Sequence, residues 1–555
     1  MMRFPDSLKN ISIGLLILVA LGACGTENSV KPTAQNFDAA DTASFARQAT
    51  AGADTFASNC AACHGADLEG TTLGPLLSGS SFLQRWGSQN PSLLLNNIQA
   101  NMPPGGNESL RSEDYLDITA HILSVNGVDS VVAALTPTTD FTIADNVSRI
   151  AAQRQRSEPE SPQGITVAGN VDDFVKFIPV TDAMLENPDP SDWPMIRRNY
   201  QAHSYSPLDQ INTDNVGDLS LEWVWNMHEG DSEPSPLVYN GIVYLINPGN
   251  VIQALDGKTG ELIWEHWTGP ANRQDMRNIA IYDDKIIQAT TDARLVALDA
   301  RTGEQVWETV VADASKGFSN SSGPIVADGK VILGLAGCAR YIPEDCYISA
   351  HNANTGELEW RFNTIAKADE PGGNTWGELE NVFRAGGETW ITGSYDPELK
   401  LTYWGTAQQK PWVPVSRHLT IFDVGLFTNS TVAVNTNTGE LDWHFQHVPA
   451  EALDLDEVFE RVLVNRGDQK LVFSLGKYGI LWKNDRVSGK FLAHKETVFQ
   501  NAFTNINAQT GEVTYRKDIQ NAKLNEWTSS CPSSAGGKDW HSMTYHEPTG
   551  TMIAP

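Results

Sequence analysis

One phrase recurs along this chain and limits its fold more than anything else. Ala254-Leu255-Asp256-Gly257-Lys258-Thr259-Gly260-Glu261-Leu262-Ile263-Trp264 returns over 297–307, 350–360 and 433–443, with a weaker copy around 482–489. Each copy reads as the end of a strand, a tight Thr-Gly turn, and a strand whose tryptophan packs between neighbouring units. The turn glycines Gly260, Gly303, Gly356, Gly439 and Gly489 stand 43, 53, 83 and 50 residues apart. Periods of this size mean a propeller or a solenoid, because one such unit cannot bury its own apolar face. Runs such as 237–245 and 330–335 supply further strands, so four-stranded antiparallel blades around an axis follow. The 83-residue interval should hide a blade without the phrase, expected over 388–404. The 45 Gly and 16 Trp agree with a mostly β repeat protein, and 555 residues are too many for one ordinary core.

A second motif lies outside the repeats. Cys60-Ala61-Ala62-Cys63-His64 places two thiols three positions apart and a histidine directly after them. Thiols so placed add across the two vinyl groups of a haem, and the imidazole becomes the proximal iron ligand. A redox dithiol or half of a zinc site uses the same thiol spacing. Residues 50–128 around the motif resemble a small all-α cytochrome c domain. Residues 51–59 have helical character, and Tyr115, Ile118, Ile122 and Leu123 recur at helical spacing over 114–125. For the sixth iron position, Met102 is the only methionine between Met2 and Met184 and is followed by Pro103 and Pro104, which stiffen its loop. His121 is the rival, on the expected terminal helix.

The ends and the charge bear on location. Arg3 and Lys9 precede an apolar run over 11–21 that is too short to span a bilayer. Leu21-Gly22-Ala23-Cys24 then looks like a bacterial lipobox, with residues 1–23 as signal peptide and Cys24 as the lipidated residue. A plain secretory signal is the alternative. Residues 24–49 read as a tether and 129–185, rich in Thr, Ala, Ser and Pro, as a linker. The expectation is a protein on the periplasmic face of the outer membrane. In that oxidising compartment Cys338 and Cys346 are close enough in sequence for a local disulfide, with Cys531 left over. A net charge of −29 makes nucleic acid a poor partner and would steer in a basic electron carrier.

With Asp192-Trp193-Pro194 and 205–211 (Tyr-Ser-Pro-Leu-Asp-Gln-Ile) added to the tagged repeats, residues 186–555 resemble the quinoprotein alcohol dehydrogenases. The resemblance implies an eight-bladed β-propeller holding pyrroloquinoline quinone (PQQ) and a calcium or lanthanide ion. Haem ahead of the propeller is the order found in polyvinyl alcohol dehydrogenases. In that family's terms Glu233 touches the quinone edge and Arg277 pairs with a PQQ carboxylate. Ser321 offers a hydroxyl, and Trp390, in Gly386-Gly387-Glu388-Thr389-Trp390, is the floor under the ring. Lys477 lies near the reactive carbonyl, Asp539 takes a position usually held by an asparagine that meets PQQ, and Trp540 is a late aromatic.

The resemblance makes Asp454 the catalytic base, and it gives Gln408, Asp454 and Asp456 to the metal. On a strand Asp454 and Asp456 would point the same way. The family's adjacent cysteines are replaced by 271–274, and its third-blade metal glutamate by Ala339 or Arg340, with Glu344 and Asp345 as candidate substitutes on the Cys338–Cys346 loop. The last blade is expected to be incomplete at the C-terminus. The implied function is alcohol oxidation at PQQ, with electrons passing through haem c to a soluble cytochrome. A cofactor-free propeller scaffold and a sugar dehydrogenase are the alternatives.

Overall fold

The computed structural model describes residues 39–68, 70, 76–87, 89–102, 110–128, 134–144, 147, 164–228, 233–269, 276–338, 346–523 and 526–555. The leader, Cys24, 271–274 and 339–345 lie outside these residues. The chain divides into two units, 1–158 and 159–555.

The small unit is helical, with α1 (Ala39–Asn59), α2 (Ala61–His64), α3 (Gly79–Trp86), α4 (Pro91–Asn101) and α5 (Ser112–Val125). Helices α1 and α5 cross at Gly52, where a Cβ would stand 1.9 Å from the Asp117 carbonyl oxygen. Phe45, Ala49, Phe56, Tyr115, Ile118, Ile122 and Leu123 fill the core between them. Asn90 caps α4 by accepting the Leu93 N–H, and Pro91 takes the first helical position, where a missing donor costs nothing. The expected boundaries at 50 and 128 are too narrow. Alanine-rich 39–49 continues α1 and buries Phe45, since a helix with an apolar stripe gains more from packing than from serving as a tether. Downstream, Leu135 and Ile143 also enter this core, and the Gln48 side chain bonds to both the N–H and the carbonyl of Leu135.

The large unit is built of antiparallel sheets. Four-stranded blades cover 280–310, 325–363, 394–446 and 462–496, each with its strands in chain order. The blade over 237–267 has the same four and gains an outer fifth strand, Gly164–Val167, from within the expected linker. Phe503–Ile506 with Val513–Tyr515, and Thr544–His546 with Thr551–Ile553, form two-stranded sheets. The described strands thus make five complete blades and two partial ones.

The recurring phrase is a docking device between blades. Gly260, Gly303, Gly356, Gly439 and Gly489 all have φ of +71° to +74°. Each sits on the indole of the preceding unit, namely Trp223, Trp264, Trp307, Trp360 and Trp443. Three residues before each glycine, a backbone carbonyl accepts that indole N–H at 2.8–3.2 Å. A side chain at the glycine would meet the ring at 2.4–2.7 Å, and the left-handed φ favours glycine as well.

The untagged blade expected over 388–404 is not a separate blade. Ser394–Asp396 and Leu401–Gly405 are the first two strands of the blade whose tag carries Gly439. Loops over 364–393 and 406–429 lengthen the interval instead. The end of the expected linker and the residues that follow it are also structural. Val180 pairs with Asp283, Asp182 accepts the Asp328 N–H, and Trp193 pairs with Val238. The carbonyls of Tyr200, Gln201 and His203 then accept from Tyr395, Leu463 and Tyr545. One strap therefore ties all five full blades and the last partial one.

Candidate active site

Trp390 stands on the segment 385–390, which runs beside 407–410 through bonds from Ala407 N–H to Glu388 and from Lys410 N–H to Ala385. Its ring is half-buried against Ile391, Ala407 and Val458, with Phe459 edge-on at 5.3 Å. Two cations lie over the ring, the Arg277 guanidinium at 5.0 Å and the Lys477 ammonium at 6.0 Å from its centre. The backbone of Arg277 is fixed by the Ser321 carbonyl at 3.1 Å, so Ser321 contributes here through its main chain. Arg277 Nη2 forms an ion pair with Glu233 at 2.5 Å, while its buried Nε has no hydrogen-bond partner. An open cavity of about 290 Å³ is lined here by Trp193, Arg197, Glu233, Arg277, Trp540 and His541. Trp540 stacks on His541 at 3.9 Å.

Asp454 and Asp456 meet beside Lys477, though not on a strand. The stretch 451–461 is irregular, and Asp454 has φ +62°, a left-handed conformation that costs a non-glycine residue about 1–3 kcal/mol. Glu451 holds it there by accepting the N–H groups of Leu453 and Asp454 and the Tyr478 hydroxyl. Gln408 joins the two aspartates. Its side-chain amide donates to Asp454 at 2.5 Å and its backbone N–H to Asp456 at 3.1 Å. Lys477 approaches Asp456 to 3.5 Å. Burial, then repulsion from Asp456, pushes the Asp454 carboxyl up to about 6; Lys477 and Lys410 pull the other way, and Asp539 adds to the repulsion. Burial chiefly pushes Glu451 up to about 7, against its hydrogen bonds to Leu453, Tyr478 and Leu455 and with a smaller push from Asp456.

Sequence reasoning missed the ion pairs around this site. Lys410 donates to Glu388 at 2.5 Å, and the fully buried Lys538 donates to Glu460 at 3.0 Å. Glu460 also accepts the Met543 N–H and so pins the segment that carries Trp540. The Gly-Gly-Glu-Thr-Trp stretch held a hint in its one charged residue. Nothing local marks Glu460 and Lys538, which are 78 residues apart.

In the small unit one short turn carries the thiols and His64, with the N–H groups of Cys63 and His64 both bonded to the Cys60 carbonyl. His64 is buried, and Cys60 and Met102 pack against the core. Burial and then Cys63 push the Cys60 thiol up to about 11, opposite to the lowered value of a reactive redox dithiol. The Tyr115 hydroxyl donates to the Met102 carbonyl at 3.0 Å, while His121 faces Phe56 of α1. Cys338 and Cys346 are bonded, and Cys531 is free and exposed.

Residues 193–498 match the family described as glucose/ethanol/alcohol dehydrogenase, beta-propeller domain. The chain belongs to this PQQ dehydrogenase propeller family. Residues 47–122 match cytochrome C oxidase, cbb3-type, subunit III. Quinohemoprotein alcohol dehydrogenase ADH-IIG of Pseudomonas putida is 32% identical over 395 residues, 66% of this chain and 54% of the relative. The chain thus spans about half the length of that curated relative. The crystal structure of ADHIIG superposes with a TM-score of 0.63 at 29% identity, covering 68% of this chain and 59% of that one. A europium-containing methanol dehydrogenase gives 0.61 at 26%, covering 67% and 69%.

The propeller family's two implied groups fit unequally. A flat, anionic quinone suits a half-buried indole with two cations above it and an unpartnered Arg277 Nε. The metal fits poorly. A calcium ion takes about six to eight oxygens, and Asp454, Asp456 and Gln408 are the donors brought together. Gln408 turns its NH₂ to Asp454 and leaves its buried Oε1 without a hydrogen-bond partner, and the Lys477 ammonium already approaches Asp456. Among the described residues no three His, Cys, Asp or Glu side chains group as metal ligands.

Proposed function

We propose that this chain is a quinohaem alcohol dehydrogenase that oxidises an alcohol to its carbonyl compound and sends the two electrons singly through haem c to a soluble cytochrome. The observation that carries the reading is Asp454, a half-buried carboxyl beside Lys477, whose ammonium also lies over Trp390. Bound PQQ supplies the two-electron oxidation. Around it Trp390 provides the flat apolar surface, and Arg277 and Lys477 neutralise carboxylate and quinone oxygens. Asp454 takes the hydroxyl proton of the alcohol at its carboxylate, and its upward shift makes it a stronger base that is still ionised near neutral pH. Cys60, Cys63, His64 and Met102 hold the haem.

The substrate class we propose to try first is a secondary alcohol such as polyvinyl alcohol, because of the haem-before-propeller order. We also propose a periplasmic location with a lipid anchor at Cys24, from the leader pattern. To test the function, the haem-loaded full chain is supplied with PQQ and offered primary, secondary and polymeric alcohols while the reduced-haem absorbance is followed. Reduction that depends on both PQQ and alcohol is expected. Intact haem that no alcohol reduces, with PQQ bound, would refute the reading.

A further inference from the structure

Arg197, on the strap, is only 2% exposed, yet among the described residues it forms no ion pair. Its Nε donates to the Ser542 hydroxyl at 3.1 Å and its Nη1 to the Thr392 carbonyl at 2.9 Å, both neutral acceptors, and its Nη2 donates to no protein atom. A guanidinium does not give up its proton in a protein, so a buried one needs a negative partner. The carboxylate bonded to the residue after Ser542 is already taken. Glu460 accepts the Met543 N–H at 2.7 Å and the ammonium of the fully buried Lys538 at 3.0 Å. Arg197 instead lines the cavity of about 290 Å³. Two more groups on that wall lack partners. The Ser204 N–H closes the strap onto the Arg197 carbonyl at 3.1 Å, which brings the Ser204 side chain to the same wall, and its buried hydroxyl has no hydrogen-bond partner. The Arg277 Nε is unpartnered as well, while its Nη2 is paired with Glu233, the one carboxylate among the described lining residues. Two guanidinium groups thus face the cavity against a single carboxylate, and Arg197 is the one left over.

We propose that this cavity binds an oxyanion, a carboxylate or phosphate group, on Arg197 with the Ser204 hydroxyl as a second donor. A planar guanidinium suits such a group, and charge-assisted bonds to it are about twice as strong as neutral ones. The group has two sources, a free small anion or a carboxylate of PQQ. Trp390, Lys477 and Asp454 do not line the cavity, and Arg277, which lies over Trp390, is shared between the two places. Only the second source rests on the PQQ reading above.

Inorganic phosphate and acetate titrated by calorimetry into the haem-loaded, PQQ-free full chain at constant ionic strength test this, with wild type, Arg197→Gln and Ser204→Ala. Thermal unfolding is followed alongside. Saturable binding of at least one of the two anions is expected in wild type, with binding at least about tenfold weaker in Arg197→Gln and weakened by a smaller factor in Ser204→Ala. PQQ binding, read by quenching of tryptophan fluorescence, then separates the sources. A PQQ carboxylate in the cavity makes the bound anion compete with PQQ and makes Arg197→Gln weaken PQQ binding, whereas a free anion leaves PQQ binding the same in both comparisons. No saturable binding of either anion by wild type overturns the proposal, and so does binding that both variants leave unchanged. Should Arg197→Gln fail to fold, Ser204→Ala, whose lost hydroxyl bonds to nothing in the protein, decides in its place. Failure of the PQQ reading would look different, with no quenching by PQQ while the anion titration still stands.

Discussion

Gly303 offers a direct measurement of blade docking. It has φ +73°, and a Cβ there would lie 2.6 Å from Cε3 of Trp264, an indole with no exposed surface. Gly329 has nearly the same φ, +72°, with nothing within 4 Å of its would-be Cβ. Gly329→Ala therefore reports the left-handed backbone cost alone, about 1–2 kcal/mol. Gly303→Ala carries that cost plus the overlap. Carbon atoms in contact prefer about 3.5–4.0 Å, so the indole must retreat by roughly 1 Å. That movement strains its bond to the Ala300 carbonyl, now 3.1 Å. Overpacking of this kind costs about 1–3 kcal/mol, and the two contributions together come to about 2–5 kcal/mol. The assay is chemical denaturation of the propeller followed by tryptophan fluorescence, with the two variants and wild type side by side. Gly303→Ala should unfold at clearly lower denaturant than Gly329→Ala. Equal midpoints for the two variants would show that the glycine is kept only for its backbone and that the tryptophan contact does not hold the blades.

Other outcomes follow from the sites. Asp454→Asn should lower alcohol turnover by about 10²–10⁴-fold, and wild-type kcat/KM should fall as pH drops through about 6, where the buried carboxyl takes up its proton. Glu451 has its folded value raised to about 7 from 4.5, so its contribution to stability is fully present below pH 4.5 and is lost as pH rises through 7. That loss is about 3 kcal/mol, and denaturation midpoints of Glu451→Gln should vary less across this window than those of wild type. Tyr115→Phe removes the bond to the Met102 carbonyl and should cost the small unit about 1 kcal/mol while lowering its haem potential in a redox titration. Gly52→Ala places a methyl 1.9 Å from the Asp117 carbonyl oxygen and should destabilise the same unit by about 1–3 kcal/mol, seen in thermal melts of the haem-loaded chain.

What could be read from the sequence depended on whether a contact repeats or leaves a local mark. The blade contact repeats. Gly260 on Trp223 and Gly489 on Trp443 make the same contact in different blades, so the turn glycine and the tryptophan recur and mark the propeller. Loops do not repeat, and the insertions around 364–393 and 406–429 made one blade look like two. The strap over 180–203 has no period at all, because its pairing residues meet different blades, and its first part, up to 185, read as linker. Composition misled in the same way at 39–49, where alanine and threonine suggested a tether although Phe45 and Ala49 were available to bury a helix face. Within the site, single residues in recognisable stretches, such as Trp390 and Asp454, were accessible through resemblance. Their partners were not. Lys410 and Glu388 are 22 residues apart, Glu460 and Lys538 are 78 apart, and only the fold brings each pair together. Those pairs are also where this chain's own chemistry is set. A carboxylate is a base, a ligand or a tether according to which cation faces it, and that choice is made by the packing of segments distant in sequence. Asp454 and Glu388 show the difference directly. The first faces Gln408 with Lys477 nearby and stays poised to take a proton, while the second faces Lys410 and anchors a charge.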